Sequence, residues 1–161
     1  MNNNPPDHQA TPDSPFATFD VRVATPDDAP TLAPLLRQLG AQDPSPDVAL
    51  LALELGNQRP TRVTLVAERD GTLLGTCTLH LIEHIAHGFA RSAILEDMVV
   101  DNRARGQGIG QALIRRAVEW AGGWGCYKLA LSSHQDREMA HRFYAAMGFA
   151  PHGVSLSLQL G

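Results

Sequence analysis

The most constraining feature of the sequence is a glycine-rich stretch that lies between an apolar segment and an amphipathic one. Three glycines alternate within residues 106–110, after Val99-Val100 and before the helical pattern of residues 111–120. This arrangement predicts a strand, a tight loop and the start of a helix. Glycines leave backbone N–H groups uncovered, and a helix N-terminus carries partial positive charge. The stretch therefore suits a pyrophosphate, and Arg103 or Arg105 can add a charge-assisted contact.

The spacing of these glycines excludes two common phosphate loops. A P-loop needs Gly-x4-Gly-Lys-Ser/Thr, and no lysine follows here. A dinucleotide fingerprint needs Gly-x-Gly-x-x-Gly, whereas these glycines fall at every second position. The alternative is a glycine-rich turn that only lets a strand enter a helix.

Two stretches resemble motifs of the GNAT family of N-acetyltransferases. Residues 105–110, Arg-Gly-Gln-Gly-Ile-Gly, resemble its Arg/Gln-x-x-Gly-x-Gly/Ala signature, and the run from Ala140 to Phe149 resembles its terminal motif. The resemblance covers about residues 19–160 and is strongest from 94 to 149. It implies an α/β fold of the acyl-CoA N-acyltransferase type, with a mixed, splayed central β-sheet flanked by helices. It also implies acetyl-CoA as co-substrate, and no metal is expected.

Carried over to this sequence, the resemblance implies a coenzyme site. The pantetheine arm would pair with the backbone of a splayed strand, with the thioester near Met98 and Val99. The expected cofactor-binding residues are Met98, Val99, Val100, Arg105, Gly106, Gln107, Gly108, Ile109, Gly110 and Arg137. Arg137 departs from the family pattern, because many members carry Asn at this place; the arginine can reach phosphate or pantetheine, or point to solvent.

Acetyl transfer to an amine needs a neutral amine, a donor to the carbonyl oxygen as it becomes an oxyanion, and a proton for the departing thiolate. The backbone N–H of Met98 or Val99 can serve the oxyanion. The resemblance implies that the Tyr144 hydroxyl approaches the coenzyme sulfur and can protonate it; the alternative is a core tyrosine. Glu96 is the candidate general base, directly or through water; the alternative is a solvent-facing or salt-bridged carboxylate. The apolar alternation fails at Glu96-Asp97-Met98, which predicts a β-bulge.

The order of predicted elements is β-α-α-β-β-β-α-β-α-β. Residues 1–17 are rich in Asn and Pro and predict a disordered tail before one N-acetyltransferase domain at 18–161. Local signals predict a hairpin at Asp70-Gly71, a helix over 136–147 capped through Ser133 and Asp136, and a last strand from Val154 to Leu160.

The composition limits which classes of partner the protein can bind. The net charge of −4 argues against a broad nucleic-acid surface, and no apolar run is long enough to span a membrane. Cys77 and Cys126 are isolated and no export signal precedes them, which favours free thiols in a cytoplasmic protein. The spacing of His80, His84 and His87 could fit metal ligands on a helix, but the segment lies between strands.

The function expected is transfer of an acetyl group to a primary amine, most simply of a small molecule, by direct attack in a ternary complex. Two alternatives stay open: acetylation of a protein N-terminus or lysine, and a non-catalytic acyl-CoA sensor. A homodimer is also left open.

Overall fold

The computed structural model describes residues 18–40 and 44–160, so the predicted tail lies outside the described residues. The strands are β1 (Asp20–Val23), β2 (Arg62–Arg69), β3 (Thr72–Glu83), β4 (Arg91–Val100) and β5 (Cys126–Leu131). The helices are α1 (Ala29–Leu36), α2 (Val48–Gly56), α3 (Ala86–Phe89), α4 (Ile109–Gly123) and α5 (Glu138–Ala146). Two 3₁₀ turns cover Pro26–Asp28 and Asn102–Ala104. Two compact units meet in sequence between Ala130 and Leu131, and each is described by itself.

The first unit is built on a mixed sheet with the order β1-β2-β3-β4-β5. The pairs β1–β2, β2–β3 and β3–β4 are antiparallel. The predicted hairpin between β2 and β3 is confirmed: Asp70 has φ 50° and Gly71 has φ 76°, the left-handed backbone that a tight hairpin turn requires. The mixed sheet with flanking helices confirms the predicted fold class.

Helices α1 and α4 cover opposite faces of the sheet. Val66 pairs with Thr76 across β2 and β3, and it packs with Leu32 of α1 in one buried cluster. The next pair along the strands, Ala67 and Gly75, therefore points to the other face. There Gly75 lies against the first turns of α4, so the start of this helix sits directly on the sheet.

The second unit begins at Leu131 and contains α5. The predicted helix starts later than expected, at Glu138, and no side chain caps it. Among the described residues, the buried Ser133 hydroxyl has no hydrogen-bond partner, so the predicted cap is wrong.

The predicted last strand is also wrong, because residues 151–160 form neither strand nor helix. Its alternating apolar side chains are between 85% and 89% exposed: Val154, Leu156, Leu158 and Leu160. Alternation describes the two faces of a strand, but a strand also needs a neighbouring edge to satisfy its backbone groups.

Candidate active site

The bulge predicted in β4 is confirmed. Thr76 pairs with Val99 and Thr78 pairs with Glu96, so the single residue Cys77 faces two residues of β4. One of these two, Asp97, has φ 52°, which an L-residue in a strand rarely adopts. Glu96 and Asp97 are exposed and Met98 is half-buried. The bulge interrupts the regular hydrogen-bonding ladder just before the strand leads into the glycine-rich stretch.

Asp101 anchors the chain where it leaves β4. Its backbone N–H donates to the Leu74 carbonyl oxygen at 2.8 Å, which ties it to β3. Its carboxylate accepts from the Arg103 backbone N–H at 2.8 Å and from Nε and Nη2 of the same arginine at 3.1 and 3.0 Å. The side-chain hydrogen bond to Arg103 is the main cause that lowers the pKa of Asp101 to about 2. Arg103 is therefore committed to Asp101, whereas Arg105 is exposed and has no ion pair among the described residues.

Two glycines give the next stretch its shape. Gly106 has φ 76° and Gly108 has φ 81°, so the backbone turns left-handed twice within three residues. A Cβ atom at Gly106 would meet nothing within 4 Å, which leaves this side of the loop open. We call residues 105–110 the glycine loop. Positive φ is the physical reason why glycine is required at both positions.

The glycine loop leads directly into α4. The Ala112 N–H donates to the Gly108 carbonyl oxygen at 3.0 Å, the first intrahelical hydrogen bond. The N–H groups of residues 109–111 precede it and have no acceptor inside the helix. No acidic side chain lies in the first turn of this 15-residue helix. Ile109 is 1% exposed and holds that turn on the sheet, so the positive helix end is fixed in place and uncompensated.

The second unit holds two of the predicted site residues. The ring of Tyr144 is half-buried, with centroid distances of 5.3 Å to Phe143 and 5.8 Å to Phe149. Arg137 is exposed immediately before α5, and its backbone N–H donates to the His134 carbonyl oxygen at 3.0 Å. The catalytic role of Tyr144 and the coenzyme contact of Arg137 stay predictions.

The cysteines and histidines have ordinary structural surroundings. Burial raises the pKa of the Cys77 thiol to about 12, and burial also raises the pKa of Cys126. His84 Nε2 and the Ser92 hydroxyl lie 2.8 Å apart. Within residues 18–40 and 44–160, no group of three or more His, Cys, Asp or Glu side chains could hold a metal ion.

Sequence reasoning missed Arg69, Gln38 and Gly75, which lie against the segment that joins β4 to α4. Arg69 Nη1 donates to Gln107 Oε1 at 3.0 Å, and the Asn102 N–H donates to Gln38 Oε1 at 3.1 Å. At Gly75 a Cβ atom would lie 3.0 Å from the Val99 carbonyl oxygen and 3.1 Å from Ile109 Cγ2. An isolated glycine inside a strand pattern is a signal of close approach that could have found Gly75.

Comparisons with known proteins agree on one family. The profile of the acetyltransferase (GNAT) family matches residues 32–149. Glucosamine 6-phosphate N-acetyltransferase 1 of Oryza sativa subsp. japonica is 35% identical over 128 residues, 77% of this chain and 76% of that one. Glucosamine 6-phosphate N-acetyltransferase of Trypanosoma brucei brucei is 31% identical over 144 residues, 88% of this chain and 96% of that one.

A solved structure supports the same result. The putative acetyltransferase from Agrobacterium tumefaciens str. C58 superposes with a TM-score of 0.80 and 28% identity, covering 88% of this chain and 99% of that one. None of the described helices is both long and apolar enough to cross a membrane.

Proposed function

The chain belongs to the GNAT acetyltransferase family, and we propose that this N-acetyltransferase moves the acetyl group of acetyl-CoA to a primary amine of a small molecule by direct attack within a ternary complex. The observation that carries the proposal is the junction of β4 with α4. There a bulged strand leads within a few residues into two left-handed glycines and an uncapped helix start. The bulged strand would bind the thioester and the glycines with the helix start would bind the anionic part of the coenzyme, so the two features must lie close together.

The coenzyme diphosphate would lie on the glycine loop. The N–H groups at the start of α4 that have no acceptor inside the helix can bind an anion. Because the first turn contains no acidic residue, no side chain there repels a phosphate. Arg105 supplies the charge-assisted contact, because Arg103 is held by Asp101. Arg137, exposed at the start of α5, is a further contact to phosphate or pantetheine.

The acetyl group would lie at the bulge. The pantetheine arm would follow the backbone of Met98, Val99 and Val100, and the backbone N–H of Met98 or Val99, next to the positive-φ residue Asp97, would donate to the thioester oxygen. Such a donor stabilises the negative charge that develops on this oxygen when the amine attacks.

Two side chains would move the protons. Glu96 is exposed next to the bulge and accepts the proton that the amine must lose, directly or through a water molecule. Tyr144 donates its hydroxyl proton to the departing thiolate, since a phenol is protonated at neutral pH. The amine nitrogen forms the new bond to the acetyl carbon as the carbon–sulfur bond breaks, and free CoA leaves as the thiol.

Direct attack is favoured over a route through an acetylated cysteine. Only a thiolate is a good nucleophile, and burial raises the pKa of Cys77 to about 12 and also raises that of Cys126. Cys77 is also 0% exposed, so a thioester cannot reach it. These two observations support a ternary complex, in which both substrates bind before the chemistry begins.

Glucosamine 6-phosphate is the first acceptor to test, because two relatives named for it cover most of this chain. The assay measures release of the free CoA thiol with a panel of amines: this sugar phosphate, unphosphorylated glucosamine, an aminoalkylphosphonate and a lysine peptide. We expect turnover with a small amine and intersecting lines when both substrates are varied.

Three outcomes contradict the proposal. Parallel initial-velocity lines indicate a covalent acetyl-enzyme, and turnover of the peptide alone indicates a protein acetyltransferase. CoA binding without turnover of any amine indicates a sensor.

A further inference from the structure

Arg69 lies at the end of β2 on the face of the sheet that α4 covers. Its neighbour Glu68 points to the opposite face, where its carboxylate binds Arg22 at 2.6 Å. Because side chains alternate along a strand, Arg69 points to the side on which the glycine loop enters α4. Its Nη1 donates to Gln107 Oε1 at 3.0 Å, across 38 positions of sequence.

Gln107 also contacts the segment just before the glycine loop. Its Nε2 donates to the Arg103 carbonyl oxygen at 3.5 Å, a long hydrogen bond. The amide of Gln107 therefore joins the hairpin of β2 and β3 to the residues on either side of Gly106. Two left-handed glycines give this segment wide conformational freedom, so the contact restricts the shape of the loop between Arg103 and Gly108.

Among the described residues, no carboxylate forms an ion pair with Arg69. Its Nε and Nη2 atoms are buried and have no hydrogen-bond partner within residues 18–40 and 44–160. Other arginines in this described part of the chain do contact a carboxylate: Arg22, Arg59, Arg62, Arg91, Arg103, Arg116 and Arg142. Buried donor atoms without a hydrogen-bond partner destabilise a fold, so their presence on the half-buried Arg69 beside the glycine loop calls for a function.

We propose that Arg69 is a positioning residue for the coenzyme: it fixes the glycine loop through Gln107, and its positive charge is compensated when the diphosphate of CoA binds. This inference rests on the proposed function, because it takes CoA as the ligand of the loop. Arg69 reaches the coenzyme through Gln107 and through its electric field, which is stronger in the protein interior than in water.

The test replaces Arg69 by methionine, which has a similar length and no charge, and by lysine, which keeps the charge but loses the planar donor group. Arg59→Met is the matched control, since Arg59 is half-exposed, bound to Glu54 and remote in sequence from the loop. Titration calorimetry measures CoA binding at low and high salt, and thermal unfolding is followed without ligand.

We expect Arg69→Met to weaken CoA binding about tenfold at low salt, with a smaller salt dependence than the wild type. The unfolding midpoint without CoA stays the same or rises, because two buried donor atoms without hydrogen-bond partners have been removed. Arg69→Lys recovers part of the affinity. In kinetics the loss falls on KM for acetyl-CoA rather than on kcat, and Arg59→Met changes none of these quantities.

Wild-type CoA affinity in Arg69→Met overturns the inference. A second outcome also overturns it: the unfolding midpoint falls in Arg69→Met, and Arg69→Lys restores this midpoint without restoring CoA binding. Dephospho-CoA keeps the diphosphate and lacks the 3′-phosphate, so the weakening must persist with it; its disappearance also overturns the inference. If the wild-type chain itself does not bind CoA, the proposed function fails, which is a different result from failure of Arg69 alone.

Discussion

Replacing Gly75 by alanine tests how closely the start of α4 sits on the sheet. The new Cβ atom would lie 3.0 Å from the Val99 carbonyl oxygen, 3.0 Å from Leu113 Cδ1 and 3.1 Å from Ile109 Cγ2. The Leu113 side chain can move, but the carbonyl belongs to β4 and Ile109 holds the first turn of α4. The helix must therefore shift outward by a few tenths of an ångström.

The expected cost combines two opposing effects. Extra atoms in a packed interior destabilise by about 1–3 kcal/mol. Alanine also has less backbone freedom than glycine in the unfolded chain, which offsets roughly 0.5–1 kcal/mol. The net loss, centred at about 1–1.5 kcal/mol, corresponds to a fall of roughly 2–6 °C in Tm for a chain of this size. Since the glycine loop moves with α4, CoA affinity falls as well.

The control is Gly122→Ala, near the end of α4. A Cβ atom at Gly122 would meet nothing within 4 Å, so alanine should raise the helix stability by about 0.5–1 kcal/mol. Thermal unfolding and CoA titration are compared for both variants. A Gly75→Ala protein at least as stable as the wild type would refute the packing argument, and normal CoA affinity in a destabilised variant would separate the loop from the packing of Gly75.

Three further predictions concern the site itself. Gly108→Val forces a branched side chain into φ 81° and covers the backbone facing the diphosphate, so titration should show CoA binding at least tenfold weaker, roughly 1.4 kcal/mol; unchanged binding contradicts the role of the loop. Tyr144→Phe should lower kcat by roughly 10²-fold with little change in CoA affinity or Tm, and wild-type turnover in this variant would mean that Tyr144 only packs. Glu96→Gln should lower kcat less, and its kcat should recover as pH rises and the amine loses its proton unaided. Arg103 lowers the pKa of Asp101 to about 2 from 3.8, so the ion pair stabilises the fold fully above pH 3.8 and this contribution is lost as pH falls toward 2; Tm measured against pH should fall more steeply there for the wild type than for Asp101→Asn.

Much of the site could be predicted from the sequence because its requirements are local. The left-handed turn at Asp70-Gly71, the glycine loop and the bulge beside Asp97 each depend on a few neighbouring residues. Glycine at a position of positive φ, or two acids that interrupt an apolar alternation, indicates such backbone geometry without knowledge of distant contacts. The roles of Glu96 and Tyr144 come from the family resemblance and stay predictions until kinetics test them.

The errors share one cause. The alternation from Val154 to Leu160 predicts a strand, yet this segment has no strand partner in the described chain. The capping pattern at Ser133 predicts a helix start, yet α5 begins at Glu138. Both patterns describe what a segment can form, whereas strand pairing and the helix start also depend on the segments around it.

The sequence by itself determined the order of elements from β1 to α5 apart from the short α3, and it determined the glycine loop and the family. The tertiary structure decided which contacts surround that loop: Arg69 with Gln107, Gly75 beneath α4, and the ion pair between Asp101 and Arg103. These contacts join segments that are far apart along the chain or depend on how a loop folds back. A turn follows from the conformational limits of its own residues, but the partner of a buried charge is known only when the sheet and the helix have been brought together.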